Sequence, residues 1–200
     1  MIKALGLVLP LLTILALGSC KPGEISDELA RFTDEDSLAR LAEVPVESMI
    51  LLSLLGHQAM GDLPDLGEGG RKLSSFGKSY LVEVPWEVLP DLAATPGLNS
   101  VVIWGNSDLA TKMDARLRLT MLSRVSGPEL RETPLAVVAR FSGDVLDLRH
   151  SLEKLGAAPR SVNAGVVTMD ATVDVLLEIL ARSDLVSLAK PIQHMPLRSE

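Results

Sequence analysis

The stretch Leu135-Ala-Val-Val-Ala-Arg-Phe141 is rich in apolar and β-branched residues, and Pro134 and Gly143 bound it. A short run of this kind between turn-forming residues predicts a β-strand. A second run, Leu185-Val-Ser-Leu-Ala189, ends shortly before Pro191, which cannot donate to a strand ladder. The two runs are therefore predicted to be the first and last strands of one folded unit.

Two helices and a hairpin are predicted between these strands. Asp144 is placed to cap a helix, with Asp147 in its first turn and Gly156 at its left-handed C-terminal cap. Thr172 starts a second helix, and Asn163-Ala164-Gly165 tolerates the positive φ of a tight hairpin turn. The apolar residues at helical spacing are Val145, Leu148, Leu152, Leu155, Val173, Leu176, Leu177 and Leu180. The resulting order is β-α-β-β-α-β, the split pattern of ferredoxin-like domains.

A similar order occurs earlier in the chain. Strands are predicted over residues 49–55, 72–75, 80–84 and 98–104, and a helix over 86–94. The segment Asp62–Gly70 is short and glycine-rich, which disfavours a helix, so we expect this copy to be degenerate. We predict an α+β fold with two tandem ferredoxin-like domains. Each would be a four-stranded antiparallel sheet with helices on one face.

The predicted organisation divides the chain into six segments. A signal peptide over residues 1–19 precedes a tether and acidic helix over 20–44, in which Thr33 and Asp36 suggest the N-cap. The remaining segments are the first domain over 45–105, a linker over 106–133, the second domain over 134–191 and a tail over 192–200.

The first twenty residues predict export. Lys3 precedes the apolar run Ala4–Leu17, and small residues lead to Cys20, the only cysteine of the chain. The ending Leu17, Gly18, Ser19 and Cys20 resembles the lipobox of bacterial lipoproteins. This resemblance implies that Cys20 carries a lipid that anchors the protein to a membrane of the bacterial cell envelope. The residue after it, Lys21, favours the outer membrane, on its periplasmic or surface side, over the inner membrane. The alternative is a buried free thiol beside an ordinary cleavage site.

The composition argues against several classes of function. The formal net charge is −7, which disfavours nucleic acid and anionic lipid as partners. Aromatic residues make up 3% of the chain, too few for surfaces that stack on bases or sugars. A single cysteine permits no internal disulfide, so packing must stabilise the fold. We expect no nucleic-acid partner, no metal and no cofactor.

Two motifs suggest chemistry but have simpler explanations. Gly77-Lys78-Ser79 resembles the end of a phosphate loop, but a strand is predicted after it where such a loop needs a helix. A hairpin turn is therefore favoured. Asp144, Asp147 and His150 have the spacing of weak metal ligands, although a helix cap with a solvated face is the favoured interpretation.

The remaining candidates for chemistry are isolated in the sequence. His57 and His194 each stand alone, and no Gly-x-Ser-x-Gly nucleophile elbow occurs. Trp86 and Trp104 are candidate binding anchors, but packing at the end of a helix or strand is the favoured role for both. We therefore predict no catalytic residues and a function other than that of an enzyme.

Several short sequence segments of the two units resemble the same protein family. They are Val138-Ala-Arg-Phe-Ser-Gly143, Leu155-Gly156-Ala157, Ser161–Met169, Leu180-Ala181 with Leu185–Leu188, Tyr80–Trp86 and Leu92–Gly97. They are similar to the propeptides of subtilisin-type proteases and to small subtilisin inhibitors. The resemblance implies that the open face of a sheet binds a subtilisin-like protease. It also implies that a tail lies in the protease cleft, and this tail consists of Ile192, Gln193, His194, Met195, Pro196 and Leu197.

The predicted function is that of a membrane-anchored, non-enzymatic binding module. One hypothesis is an inhibitor or chaperone-like partner of a subtilisin-like protease, acting in trans because no catalytic domain follows residue 200 in this sequence. The alternative is a structural or adaptor lipoprotein that binds another envelope protein, because a fold alone does not determine a function.

Overall fold

The computed structural model describes residues 27–56, 63–125, 127–142 and 147–191. The described residues form an α+β structure with two four-stranded antiparallel sheets. The strands are β1 Ile50–Gly56, β2 Arg71–Phe76, β3 Ser79–Val84, β4 Leu98–Asn106, β5 Leu135–Phe141, β6 Ala158–Asn163, β7 Val166–Ala171 and β8 Leu185–Ala189. The helices are α1 Asp27–Ala30, α2 Glu35–Ala42, α3 Leu89–Ala93, α4 Leu109–Lys112, α5 Ala115–Val125, α6 Pro128–Glu132, α7 Leu148–Lys154 and α8 Val173–Ala181, with a 3₁₀ turn at Trp86–Val88 before α3.

The two sheets have the same strand order. Sheet A is ordered β2-β3-β1-β4, and sheet B is ordered β6-β7-β5-β8. The central pairs are in the same register, since Ser53 lies opposite Leu81 in sheet A and Val138 lies opposite Thr168 in sheet B. This match defines equivalent positions in the two domains, and it confirms the predicted succession of strands in both halves.

Each sheet has an inner face that packs on helices. In sheet A this face carries Ile50, Leu52 and Leu54, which lie in one core cluster with residues of α1, α2 and α3. In sheet B it carries Val137 and Ala139, which share a cluster with the leucines of α7 and α8. These side chains alternate along their strands with the residues of the opposite, outer face.

The segment of the chain that connects β4 to β5 is largely helical. Helices α4, α5 and α6 occupy most of the segment predicted as a linker. Helix α5 contacts β2 and β3 of sheet A and also β8 of sheet B. Its residues Leu117, Met121 and Leu122 are fully buried. The two domains are therefore joined through a shared apolar core.

Both fourth strands are covered along their outer edge in the same way. Thr33 forms a parallel bridge with Val101 of β4, and Met113 forms one with Leu188 of β8. Each bridge is followed by an aspartate that caps the next helix: Asp34 accepts from the Ser37 amide at 2.7 Å, and Asp114 accepts from the Leu117 amide at 2.6 Å. An exposed strand edge invites pairing with other chains, and these segments cover it.

The N-terminal region and the first domain differ from the sequence predictions in two helices. The acidic helix expected within residues 20–44 is broken because Thr33 pairs with β4, and its N-cap is Asp34 instead of the predicted combination of Thr33 with Asp36. The expected helix over 86–94 begins as a 3₁₀ turn, and Pro90 lies near the start of α3. Residues 63–70 form no helix, as expected for a degenerate first copy.

Two further differences concern the placement of helices. Helix α7 begins at Leu148, so Asp147 occupies the N-cap position instead of the first turn, while Asp144 lies outside the described residues. The prediction that helices cover only one face of each sheet is wrong for sheet A. Its leucine-rich outer face is apolar enough to require cover, and α5 provides it.

Candidate binding surface

The outer face of sheet B is open to solvent. The central strand β5 alternates between buried and accessible residues, and Ala136 and Arg140 are exposed while Val138 is partly exposed. On β7, Val166 is 40% exposed and Thr168 is partly exposed. These side chains point away from the core because neighbouring residues of a strand face opposite sides. The result is a shallow surface of mainly small side chains.

Side-chain hydrogen bonds between β6 and β7 hold the residues on one side of this face in place. Arg160 donates two hydrogen bonds to the Asp170 carboxylate, at 2.6 and 2.8 Å. The hydroxyls of Ser161 and Thr168 lie 2.7 Å apart. Arg140 differs from Arg160, because no hydrogen bond or ion pair of its side chain occurs among the described residues. Within the described part of the chain, this face therefore carries one ion pair, Arg160–Asp170, and one cation without an ionic partner, Arg140.

The equivalent face of sheet A is buried. Leu51 and Leu81 are inaccessible, and Ser53 is 3% exposed. Ser53 accepts a hydrogen bond from Nε1 of Trp104 at 3.2 Å, which satisfies two polar groups inside the core. Glu83 is also buried and accepts from Nε of Arg71 at 2.6 Å. The centre of this face, on β1 and β3, is thus part of the protein interior, while Arg71 and Phe76 on the edge strand β2 are exposed.

A charged cluster lies where the two domains meet. Arg131 of α6 donates to Asp34 at 3.0 Å and also to Asp174 in the first turn of α8. The Arg131 side chain is 18% exposed, and its Nε is buried without a partner. Asp34 caps α2, so the cluster connects the helix beside sheet A to a helix beneath sheet B.

The contacts within this cluster shift the pKa values of Asp34 and Arg131. Burial alone would raise the pKa of Asp34, but hydrogen bonds from Ser37 and Arg131 outweigh it and lower the pKa below the ordinary value of 3.8. Burial alone would lower the pKa of Arg131, but its bonds to Asp174 and Asp34 outweigh this effect and raise it. Asp34 and Arg131 are therefore both charged at neutral pH.

A cavity of about 270 Å³ lies beside this cluster. Its wall includes the apolar side chains of Phe32, Leu55 and Val125, together with Asp34 and Arg131. The two charged groups in the wall are paired with each other. The cavity therefore presents no unpaired charge from these residues to a ligand.

The predicted lipidation and cleft residues lie outside the described part of the chain. This holds for Leu17, Gly18, Ser19 and Cys20, and for the tail residues Ile192, Gln193, His194, Met195, Pro196 and Leu197. His57 also lies outside it. Among the described residues, no helix is long and apolar enough to span a membrane.

The other candidate residues have structural roles or lie on the surface. His150 is exposed on α7, and the described residues contain no group of three or more potential metal ligands. Gly77 has a φ of 56° in the turn between β2 and β3, so the hairpin interpretation is confirmed. Trp104 is 1% exposed, and Trp86 donates to the Pro45 carbonyl oxygen at 3.0 Å. Packing is therefore the role of both tryptophans.

The sequence analysis missed Arg140 and the Arg131 cluster. Arg140 was visible as the one charge in an otherwise apolar strand, at a position that alternation assigns to the outer face. The cluster joins residues 34, 131 and 174, and no local pattern indicates such a contact. No family model, no curated protein and no solved structure matches this chain.

Proposed function

We propose that this protein is a lipid-anchored binding protein of the bacterial cell envelope. Its partner would bind to the outer face of sheet B. The observation that carries the proposal is the contrast between the two outer faces: that of sheet A is buried under α5, while that of sheet B is open and ordered. A flat sheet face held in place by two helices is suited to bind a protein surface.

In this proposal both domains are ferredoxin-like. The shared strand order, the antiparallel pairing and the elements β5-α7-β6-β7-α8-β8 support this assignment for the second domain. The first domain has the same strand order, with α3 between its third and fourth strands.

The partner that we favour is a subtilisin-like serine protease. Support comes from the resemblance of residues 138–143 and 161–169 to subtilisin propeptides, and from the free face on the strands that include these residues. The protein would act as an inhibitor or as a chaperone-like partner, with the tail after β8 directed to the protease cleft. The second candidate is an adaptor that binds another envelope protein, because the open sheet face is equally suited to bind such a protein.

The experiment is a time course with purified residues 21–200, which lack the lipidated cysteine, and a subtilisin-class protease acting on a small chromogenic substrate. We expect slower turnover that depends on the concentration of the chain and precedes its cleavage. A heat-denatured sample of the same chain serves as the control for simple substrate competition. Rapid degradation with unchanged turnover would overturn the protease assignment.

The anchor is tested separately. Replacing Cys20 by Ala removes the acceptor for the lipid, so the protein should move from the membrane fraction to the soluble fraction. A mass spectrum of the N-terminal peptide of the natural protein should show acyl groups on Cys20. Unchanged membrane fractionation of the variant, or an unmodified Cys20, would contradict the assignment.

A further inference from the structure

We propose that helices α4, α5 and α6 form a cover over the outer face of sheet A that is fastened to the second domain. The cover stays in place while the second domain is folded, and it leaves sheet A when β8 and α8 lose their structure. Two tandem domains would ordinarily open independently, and this arrangement couples them. The inference is independent of the partner proposed above.

The first helix of the cover is bonded to the end of α8. The ammonium group of Lys112 donates to the carbonyl oxygens of Leu180 and Arg182, at 3.2 and 3.0 Å. The last carbonyl groups of a helix lack partners within the helix, and a lysine placed there satisfies them and complements the helix dipole. The position of α4 therefore depends on an intact C-terminal end of α8.

The start of α5 is bonded to β8 through one aspartate. The Asp114 amide donates to the Leu188 carbonyl oxygen at 3.1 Å, and the Asp114 carboxylate accepts from the Lys190 amide at 3.2 Å. The same carboxylate accepts from the Leu117 amide at 2.6 Å and so caps α5. One side chain thus fixes both the end of β8 and the beginning of the covering helix.

The contact of the cover with sheet A is of a different kind. Leu117 and Met121 of α5 share a cluster with Leu51 and Leu81 of sheet A, and all four side chains are fully buried. Apolar burial is strong but non-directional, whereas hydrogen bonds fix a position. The leucines of sheet A therefore favour cover of some kind, and the bonds to α8 and β8 determine where α5 lies.

A natural reporter lies under the cover. Trp104 of β4 is 1% exposed, belongs to the same cluster as Leu117, and donates to the Ser53 hydroxyl at 3.2 Å. The sequence contains two tryptophans, and the other one, Trp86, also lies in the first domain. With Trp86→Phe, the fluorescence of the chain reports the surroundings of Trp104 alone. Exposure of this indole to water shifts its emission to longer wavelength.

The test is urea unfolding of purified residues 21–200 that carry Trp86→Phe, with and without Leu152→Ala. Leu152 is fully buried in α7, which packs beside β6 of the second domain. We expect the midpoint of the Trp104 transition to fall by about 1 M urea, together with the midpoint measured by far-ultraviolet circular dichroism. The matched control is Val166→Ala, at a 40% exposed position of the same domain, which should leave both midpoints unchanged.

The Trp104 midpoint decides the outcome. If Leu152→Ala leaves it at the value of the parent chain, while circular dichroism detects earlier unfolding or no change, the cover is not fastened to the second domain and the inference is overturned. An equal shift by Val166→Ala would also overturn it, because the core of the second domain would then not be the cause. If Leu152→Ala does not fold, Leu152→Val makes the same comparison, with a smaller expected shift.

Discussion

The outer faces of the two sheets have the same topology and different surroundings. In sheet A the face is buried beneath α5, and its leucines belong to the core that joins the domains. In sheet B the corresponding face is open and carries small or polar side chains together with Arg140. Strand order alone therefore does not determine whether a face can bind a partner; the side chains and the neighbouring helix do.

The difference also distinguishes the surroundings of the two domains. The sheet of the first domain is covered at its centre on both faces, and this domain is joined to the second by α5 and by the Arg131 cluster. The second domain keeps one face free.

The largest expected effect comes from exchanging equivalent residues between the two faces. Leu81→Thr removes a fully buried side chain beneath α5 and leaves a hydroxyl in the core. We expect a loss of about 3 kcal/mol in the free energy of unfolding. The reverse change, Thr168→Leu, should alter it by no more than about 0.5 kcal/mol, because the site is on the surface. Urea titrations measure both values, and a similar cost for the two variants would contradict the contrast between the faces.

A smaller effect is expected at the junction of the domains. Arg131→Met leaves Asp34 and Asp174 without their shared partner, but both carboxylates are more than one-third exposed and water partly compensates them. We expect a loss of about 1–2 kcal/mol in the free energy of unfolding. Arg116→Met, at an exposed position of α5, is the control and should be close to neutral. An unchanged stability of the Arg131 variant would show that the cluster does not hold the domains together.

The smallest effect is a pH dependence at the same junction. The pKa of Asp34 is lower in the folded protein than its ordinary value of 3.8, so its charged form contributes stability above that pH. This contribution is lost as the pH falls through the folded pKa. The free energy of unfolding of Asp34→Asn should therefore be lower than that of the natural chain by a constant amount between pH 5 and 7. This difference should shrink below pH 3.8.

Unfolding in urea at several pH values measures this difference. The Asp27→Asn variant serves as the control, since Asp27 is exposed in α1 and no hydrogen bond or ion pair of its side chain occurs among the described residues. A difference between Asp34→Asn and the natural chain that persists unchanged into acid would show that the Asp34 charge does not contribute.

Much of the fold could be predicted from local patterns. The run 135–141, the turn at Asn163-Ala164-Gly165 and the cap at Thr172 predicted the second domain, because each of these signals depends only on neighbouring residues. The same reasoning predicted the four strands of the first domain. The strand boundaries differ by at most two residues, mostly where pairing extends a strand beyond its apolar run.

The cover of sheet A could not be predicted in the same way, because it is a contact between distant segments. One signal was nevertheless present: residues 49–55 are almost continuously apolar, which is typical of a strand buried on both faces. The run 135–141 contains an arginine and two alanines and fits a strand with one open face. The bridges at Thr33 and Met113 had no comparable signal, since a single paired residue has no periodicity.

The central claim is that one outer face is closed and its equivalent is open, and cysteine labelling tests it most directly. Ser53→Cys and Val138→Cys place a thiol at matching positions of the two central strands, in a chain whose Cys20 is replaced by Ser. We expect Val138→Cys to react with a maleimide in the folded protein. The thiol of Ser53→Cys should react at least roughly a hundredfold more slowly, because its labelling requires local opening of the structure. Equal labelling rates for the two thiols, with both proteins folded, would contradict the account.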